Sequence, residues 1–91
     1  MSYRFKTVPS FRRALRGLNS HQQAAARKAF AIFKQDPFDS CLRPHTIHRL
    51  SAEYGVTIYA VCIAGDLRAV FYVEGDPVWS VDVGTHAIYR S

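Results

Sequence analysis

The segment VDVGTHAIYR, residues 81–90, concentrates side chains that do chemistry: Asp82, His86, Tyr89 and Arg90. An imidazole whose unperturbed pKa is about 6.5 moves protons near neutral pH. A guanidinium stays ionised, and its planar fork matches the oxygens of an anion. Two further places offer the same types. RPHTIHR, residues 43–49, supplies Arg43, His45, His48 and Arg49, and Arg68 stands alone in LRAVFYV. The chemistry available is proton transfer beside an anion held by arginine. Zinc is not expected. In an extended segment the odd separation sends His45 and His48 to opposite sides, and no Cys-x-x-Cys accompanies them.

These residues need elements to hold them. YRFKTV (3–8) alternates and reads as a short strand. PSFRRALRGL (9–18) spaces Phe11, Leu15 and Leu18 as an amphipathic helix. In NSHQQAAARKAFAIFKQD (19–36), Ser20 and Gln23 read as a capping box, Ala26, Phe30 and Phe33 form an apolar stripe, and Pro37 stops the helix. The two helices are joined almost directly, so an antiparallel hairpin is expected. VTIYAVCIA (56–64), LRAVFYV (67–73) and VWSVDV (78–83) read as strands. Gly65-Asp66 fits a two-residue hairpin loop between the first two.

Alternation then assigns faces. Leu67, Ala69, Phe71 and Val73 share one side, and Arg68, Val70, Tyr72 and Glu74 the other. Trp79, Val81 and Val83 are expected beside the first set, against the helices. That puts Arg68, Tyr72, Ser80 and Asp82 on an open face, provided the second loop, Gly75-Asp76-Pro77, has odd length. Tyr59, Val61 and Ile63 are expected on the open face too, and His86 joins it if the last strand persists that far. Exposed Val and Ile there imply a protein partner or a dimer.

Ninety-one residues make one domain, residues 1–91, with a single core. No apolar run approaches the roughly 20 residues of a membrane span. The opening MSYRFKTVPS has no secretory apolar stretch. Two cysteines, Cys41 and Cys62, are too few for a disulfide framework, so a reduced cytoplasmic setting is expected. Charge is divided unevenly. Residues 1–50 carry ten Lys/Arg against two acids, a net +8, and residues 51–91 carry two against five, a net −3. A basic half suits an anionic partner such as nucleic acid or an acidic protein.

Three phrases carry a family resemblance: FKQDPFDSCLRPHTIHRL (33–50), GDLRAVFYVEGD (65–76) and VDVGTHAIYR (81–90). In their order and spacing, over nearly the whole chain, the sequence resembles the RelE/ParE superfamily, small bacterial toxins of type II toxin–antitoxin systems. The resemblance implies an α+β fold with a short N-terminal strand and a two-helix hairpin packed on an antiparallel β-sheet. It implies a metal-independent, cofactor-free, ribosome-associated endoribonuclease that cleaves mRNA through the substrate 2′-OH. In that reading His86 is the general acid or base, and Arg68 stabilises charge on phosphorus. Asp82 orients Arg68 or His86, or pairs with Arg68. Tyr89 stacks on a base, or packs the chain end onto the helices. His48, with Arg49, is the second proton-transfer candidate, followed by His45. Arg43, His45, Arg49, Tyr72 and Arg90 bind RNA, and the basic N-terminal half contacts rRNA. A cognate antitoxin covers the open face. Two alternatives stay open: a ParE-type DNA gyrase inhibitor working through its helix hairpin without nuclease activity, and a degenerate member that only binds antitoxin. Val61 and Ile63 favour them, since ribosome-dependent members often carry Arg or Lys on that strand.

Overall fold

Pro9 opens the first helix at a position where its missing N–H costs nothing. In the computed structural model, which describes residues 3–85 and residue 88, that helix, α1, spans Pro9–Arg16 and follows strand β1, Arg4–Thr7. Helix α2, Ser20–Phe33, starts one residue earlier in its cap than expected. Asn19 Oδ1 accepts from the Gln22 amide at 2.8 Å, and Gln22 Oε1 accepts from the Asn19 amide at 3.1 Å. The reciprocal box is therefore Asn19/Gln22, not Ser20/Gln23. Gln23 instead donates to Leu18 O at 2.9 Å and ties α2 to the turn before it.

Beyond a 3-10 turn at Ser40–Leu42 come β2 (His45–Thr46), α3 (His48–Tyr54), β3 (Tyr59–Ala64), β4 (Leu67–Val73) and β5 (Pro77–Gly84). The five strands form one sheet in the order β1-β5-β4-β3-β2. It is mixed, because β1 runs parallel to β5 while the other pairs are antiparallel. The expected extended segment 43–49 is extended only at His45–Thr46. Its end is the first turn of α3, which Gly55 stops in a left-handed conformation at φ 73°. Residues 56–58 precede β3, and Ser51 joins the two elements by accepting the Ile58 amide at 2.8 Å and donating to Ile47 O at 2.9 Å.

The loops and faces of the sheet differ from simple alternation for one reason. Both hairpin loops are two residues long: Ala64 pairs with Leu67 around Gly65-Asp66, and the Glu74 amide donates to Pro77 O around Gly75-Asp76. Gly65 (φ 53°) and Gly75 (φ 72°) supply the positive φ such loops need. The odd residue expected in the second loop lies inside β5 instead. There the register shifts from Phe71↔Ser80 to Val70↔Asp82, leaving Val81 as a bulge. A second bulge at Ile63 shifts β3 from Ala64↔Leu67 to Cys62↔Arg68. Each extra residue inverts the side-chain parity of the strand on one side of it.

The consequences run along both strands. Ser80 lies opposite Phe71 on the helix side and is buried, not on the open face. Trp79 lies opposite Tyr72, away from α1 and α2, and Val81 joins the core beneath α3. Tyr59, Val61 and Ile63 pack with the helix-side core. Arg68, Tyr72, Asp82 and Val83 keep their expected sides. The first turn of α1 secures the β5 bulge, with Ser10 Oγ donating to Val81 O at 3.3 Å and the Val8 amide to Ser80 O at 3.2 Å.

Two cores result. On one side Phe11, Phe33, Val61, Phe71, Val78 and Val83 are buried between the sheet and α1 and α2, with Phe33 edge-on to Phe71 at 4.9 Å. On the other side Leu50 of α3 packs on Ile58, Ala60, Val70 and Val81. The face expected to be open is therefore partly covered. The parity change is directly testable by urea denaturation. Phe71→Ala should cost about 3–5 kcal/mol. Trp79→Ala, at the half-exposed cross-strand pair with Tyr72, should cost about 1 kcal/mol.

Candidate functional site

Beyond the area that Leu50 covers, the α3 side of the sheet carries polar groups. Cross-strand pairing sets Cys62 opposite Arg68 and Arg68 opposite Gly84, and the neighbouring row runs His45, Ala60, Val70, Asp82. Arg68 and Asp82 are thus diagonal neighbours on one face, at the end of β4 beside the inner turn.

Arg68 is half-buried. Its Nη1 donates to Gly65 O at 2.7 Å and to Leu67 O at 3.1 Å, so carbonyls of the turn hold the guanidinium. Its Nε is buried and has no partner among the described residues. A buried N–H without an acceptor is costly, and an anionic oxygen delivered to this face would satisfy it. Asp82 does not supply that oxygen. Its Oδ1 accepts from the Val83 amide at 2.8 Å, so the expected Arg68–Asp82 pair does not form. Burial pushes the Asp82 carboxyl above its ordinary pKa, only partly countered by the hydrogen bond from the Val83 amide.

The remaining candidates divide by location. His45 is exposed on edge strand β2, its Nδ1 3.0 Å from Arg43 O. Three strand spacings, about 14 Å, separate its row position from Asp82. Arg43 is exposed and held in the left-handed region at φ 51°. His48 and Arg49 are exposed in the first turn of α3. These four lie at one corner beside the face, at β2 and the start of α3. Tyr72 stands farther along β4, stacked on Trp79 at 6.4 Å, and Lys6 Nζ lies 5.8 Å from the Trp79 ring on the far side of the sheet's edge pair. His86, Tyr89 and Arg90 lie outside the described residues. Among the described residues no three His, Cys, Asp or Glu side chains gather as a metal site. None of the helices described is long and apolar enough to cross a membrane.

Helix α3 and its cover on the sheet were missed from sequence, although a signal existed. Ile47, Leu50 and Tyr54 recur at helical spacing and Gly55 follows. The unsatisfied Nε of Arg68 had no local signal, because it depends on how the guanidinium turns back to Gly65.

This architecture is the α+β RelE-like fold. A chain of the archaeal RelE–RelB complex from Pyrococcus horikoshii superposes with TM-score 0.69 at 15% identity, covering 93% of this chain and 96% of that one. A chain of the Escherichia coli DinJ–YafQ complex gives 0.64 at 13%, covering 96% and 97%. A copper-bound mutant toxin from Helicobacter pylori gives 0.60 at 18%, covering 94% and 97%. No family model and no curated protein matches the sequence.

The raised carboxyl of Asp82 has a stability consequence. A folded-state pKa above the unfolded value means that the native state binds more protons in that window, so stability falls as pH rises through it. Asp82→Asn keeps an oxygen for the Val83 amide and removes the buried charge. It should melt higher than wild type at pH 7, and thermal scans from pH 7 down through the carboxylate range should show the difference vanish.

Proposed function

We propose that this chain is the toxin of a type II toxin–antitoxin pair and a metal-independent endoribonuclease that cuts mRNA on the ribosome in the cytoplasm. The observation that carries the reading is Arg68. Its guanidinium is half-buried on the α3 side of a RelE-like sheet, with a buried Nε lacking an acceptor among the described residues. In the reaction the substrate 2′-oxygen attacks the adjacent phosphorus and the bond from phosphorus to the 5′-oxygen breaks, leaving a 2′,3′-cyclic phosphate and a 5′-hydroxyl. One proton leaves the 2′-OH and another reaches the 5′-oxygen. His86 moves one of them, and Arg68 holds the charge that grows on the phosphoryl oxygens. Arg43, His45, His48 and Arg49 approach the RNA from the edge of the sheet. The exposed cations of α1 and α2, Arg12, Arg13, Arg27 and Lys28 among them, meet rRNA phosphates.

The antitoxin needs a surface other than the one α3 covers. A groove of about 610 Å³ lies between α1, α2 and β1. Phe5, Leu15 and Phe30 give it an apolar floor, and Arg27 and Lys34 are among its cations. Its chemistry fits an amphipathic antitoxin segment with apolar anchors and flanking carboxylates.

Induction of wild type, His86→Ala and Arg68→Ala without antitoxin, followed by mapping of mRNA 5′ ends, tests the nuclease. Wild type should produce new in-frame cuts, and each variant should lose about 10²–10³-fold in cleavage rate. Growth arrest with intact mRNA in all three would overturn the reading and direct attention to gyrase supercoiling assays. For the groove, Leu15→Glu should weaken antitoxin binding at least tenfold by calorimetry.

A further inference from the structure

Trp79 is the only tryptophan in the chain, and it sits half-buried on β5 outside both cores of the described residues. Its neighbours lie in one cross-strand row. Lys6 of β1 pairs with Trp79, and Trp79 pairs with Tyr72 of β4. The two rings are within 21° of parallel, with centroids 6.4 Å apart. Stacked rings touch at about 3.5 Å, so that centroid distance means a lateral slip of about 5 Å. The pair therefore overlaps little and spreads its π surface along the row. Lys6 Nζ lies 5.8 Å from the centre of the Trp79 ring. Arg4, two residues earlier on the same edge strand, shares the side of Lys6, and both are exposed. Tyr72 packs on the core beneath α3, which fixes that end of the row. Glu74, the acid nearest along β4, lies two residues beyond Tyr72 at the turn.

We propose that Tyr72 and Trp79, with Lys6 and Arg4 beside them, form a platform on which the bases of single-stranded RNA stack. Every base has a π face, so a partly exposed aromatic pair can hold bases without reading their sequence. Cations one strand away meet the phosphates that join those bases. Sheet stabilisation accounts for a cross-strand aromatic pair, and edge protection accounts for a lysine on β1. Neither accounts for the chain's one tryptophan lying outside both cores, slipped against a tyrosine and flanked by two cations. An acidic protein segment would meet the cations but would leave the π surface unused. The row lies on the same side of the sheet as Arg68, four residues before Tyr72 on β4 and so about 14 Å away. That one RNA strand reaches both places rests on the nuclease reading above. The stacking itself does not.

The sole tryptophan makes the platform its own reporter. The full chain is titrated with a short single-stranded 2′-O-methyl oligoribonucleotide, which lacks the 2′-OH that cleavage would need, while Trp79 fluorescence is followed. Saturable quenching is expected, and a duplex of the same sequence should quench far less because its bases are already stacked. Tyr72→Ala should weaken binding at least about fivefold. Lys6→Gln should weaken it too and lower the salt dependence, by about 0.7 in the slope of log K against log salt. Anisotropy of a labelled oligonucleotide extends the test to Trp79 itself: Trp79→Leu should lose binding and Trp79→Phe should keep most of it, with circular dichroism showing both folded. No quenching, equal quenching by the duplex, or affinity unmoved by Tyr72→Ala and Trp79→Leu would overturn the platform. Because the probe cannot be cut, the two readings fail separately. Intact cellular mRNA with quenching retained removes the nuclease and leaves the platform, whereas cut mRNA without quenching removes the platform alone.

Discussion

Strand β4 lies between two bulged neighbours, and the rest of the molecule depends on that arrangement. Side chains on a strand alternate with a strict period of two, so one extra residue reverses everything beyond it. The bulge at Val81 lets β5 present Val83 and Val78 to the helices on either side of a parity change, and it turns Val81 itself toward α3. The bulge at Ile63 does the same for β3, sending Val61 to one core and Ala60 to the other. A bulge disrupts the ladder locally, and here Ser10 and Val8 of the α1 start bond the carbonyls of Val81 and Ser80. The helix that covers one face thereby stabilises the register that creates both.

With apolar residues sorted to both faces, the sheet needs cover on both. The α1 and α2 side receives the aromatic cluster around Phe33 and Phe71. The other side receives only α3, seven residues long, which shields the middle of the sheet and leaves the end of β4 beside the inner turn. Arg68 lies at that boundary. Partial burial strengthens its field compared with a fully solvated arginine, and among the described residues backbone carbonyls hold it rather than a carboxylate. Asp82, next to it, is raised in pKa by burial, and its Oδ1 accepts from the Val83 amide.

The two faces also differ in charge and in apolar cover. Most cations lie on the first half of the chain and so on β1, α1, α2 and the β2–α3 corner, while the acids lie mostly in the sheet half. An apolar groove with cations among its lining residues opens beside α1 and α2, opposite the face that carries Arg68.

Much of this was legible in the residues. The spacing of Phe11, Leu15, Phe30 and Phe33 specified two amphipathic helices. Val- and aromatic-rich runs specified β3 to β5, and the sides of Arg68 and Phe71 on β4 followed from alternation, because these signals are local. Three features were not local. Bulge positions emerge when two-residue turns, strand pairing and burial on two faces are satisfied together, so Trp79, Ser80 and Val61 could not be assigned by counting along the chain. Helix α3 forms where Leu50 finds Ile58 and Val70 to cover, and propensity alone gave it little weight at seven residues. The direction in which the Arg68 guanidinium turns depends on the Gly65 carbonyl across a hairpin. Sequence by itself determined which elements exist and which residues could do chemistry. The tertiary structure alone decided which face each one meets, because a parity change is the outcome of contacts between strands rather than a property of any one strand.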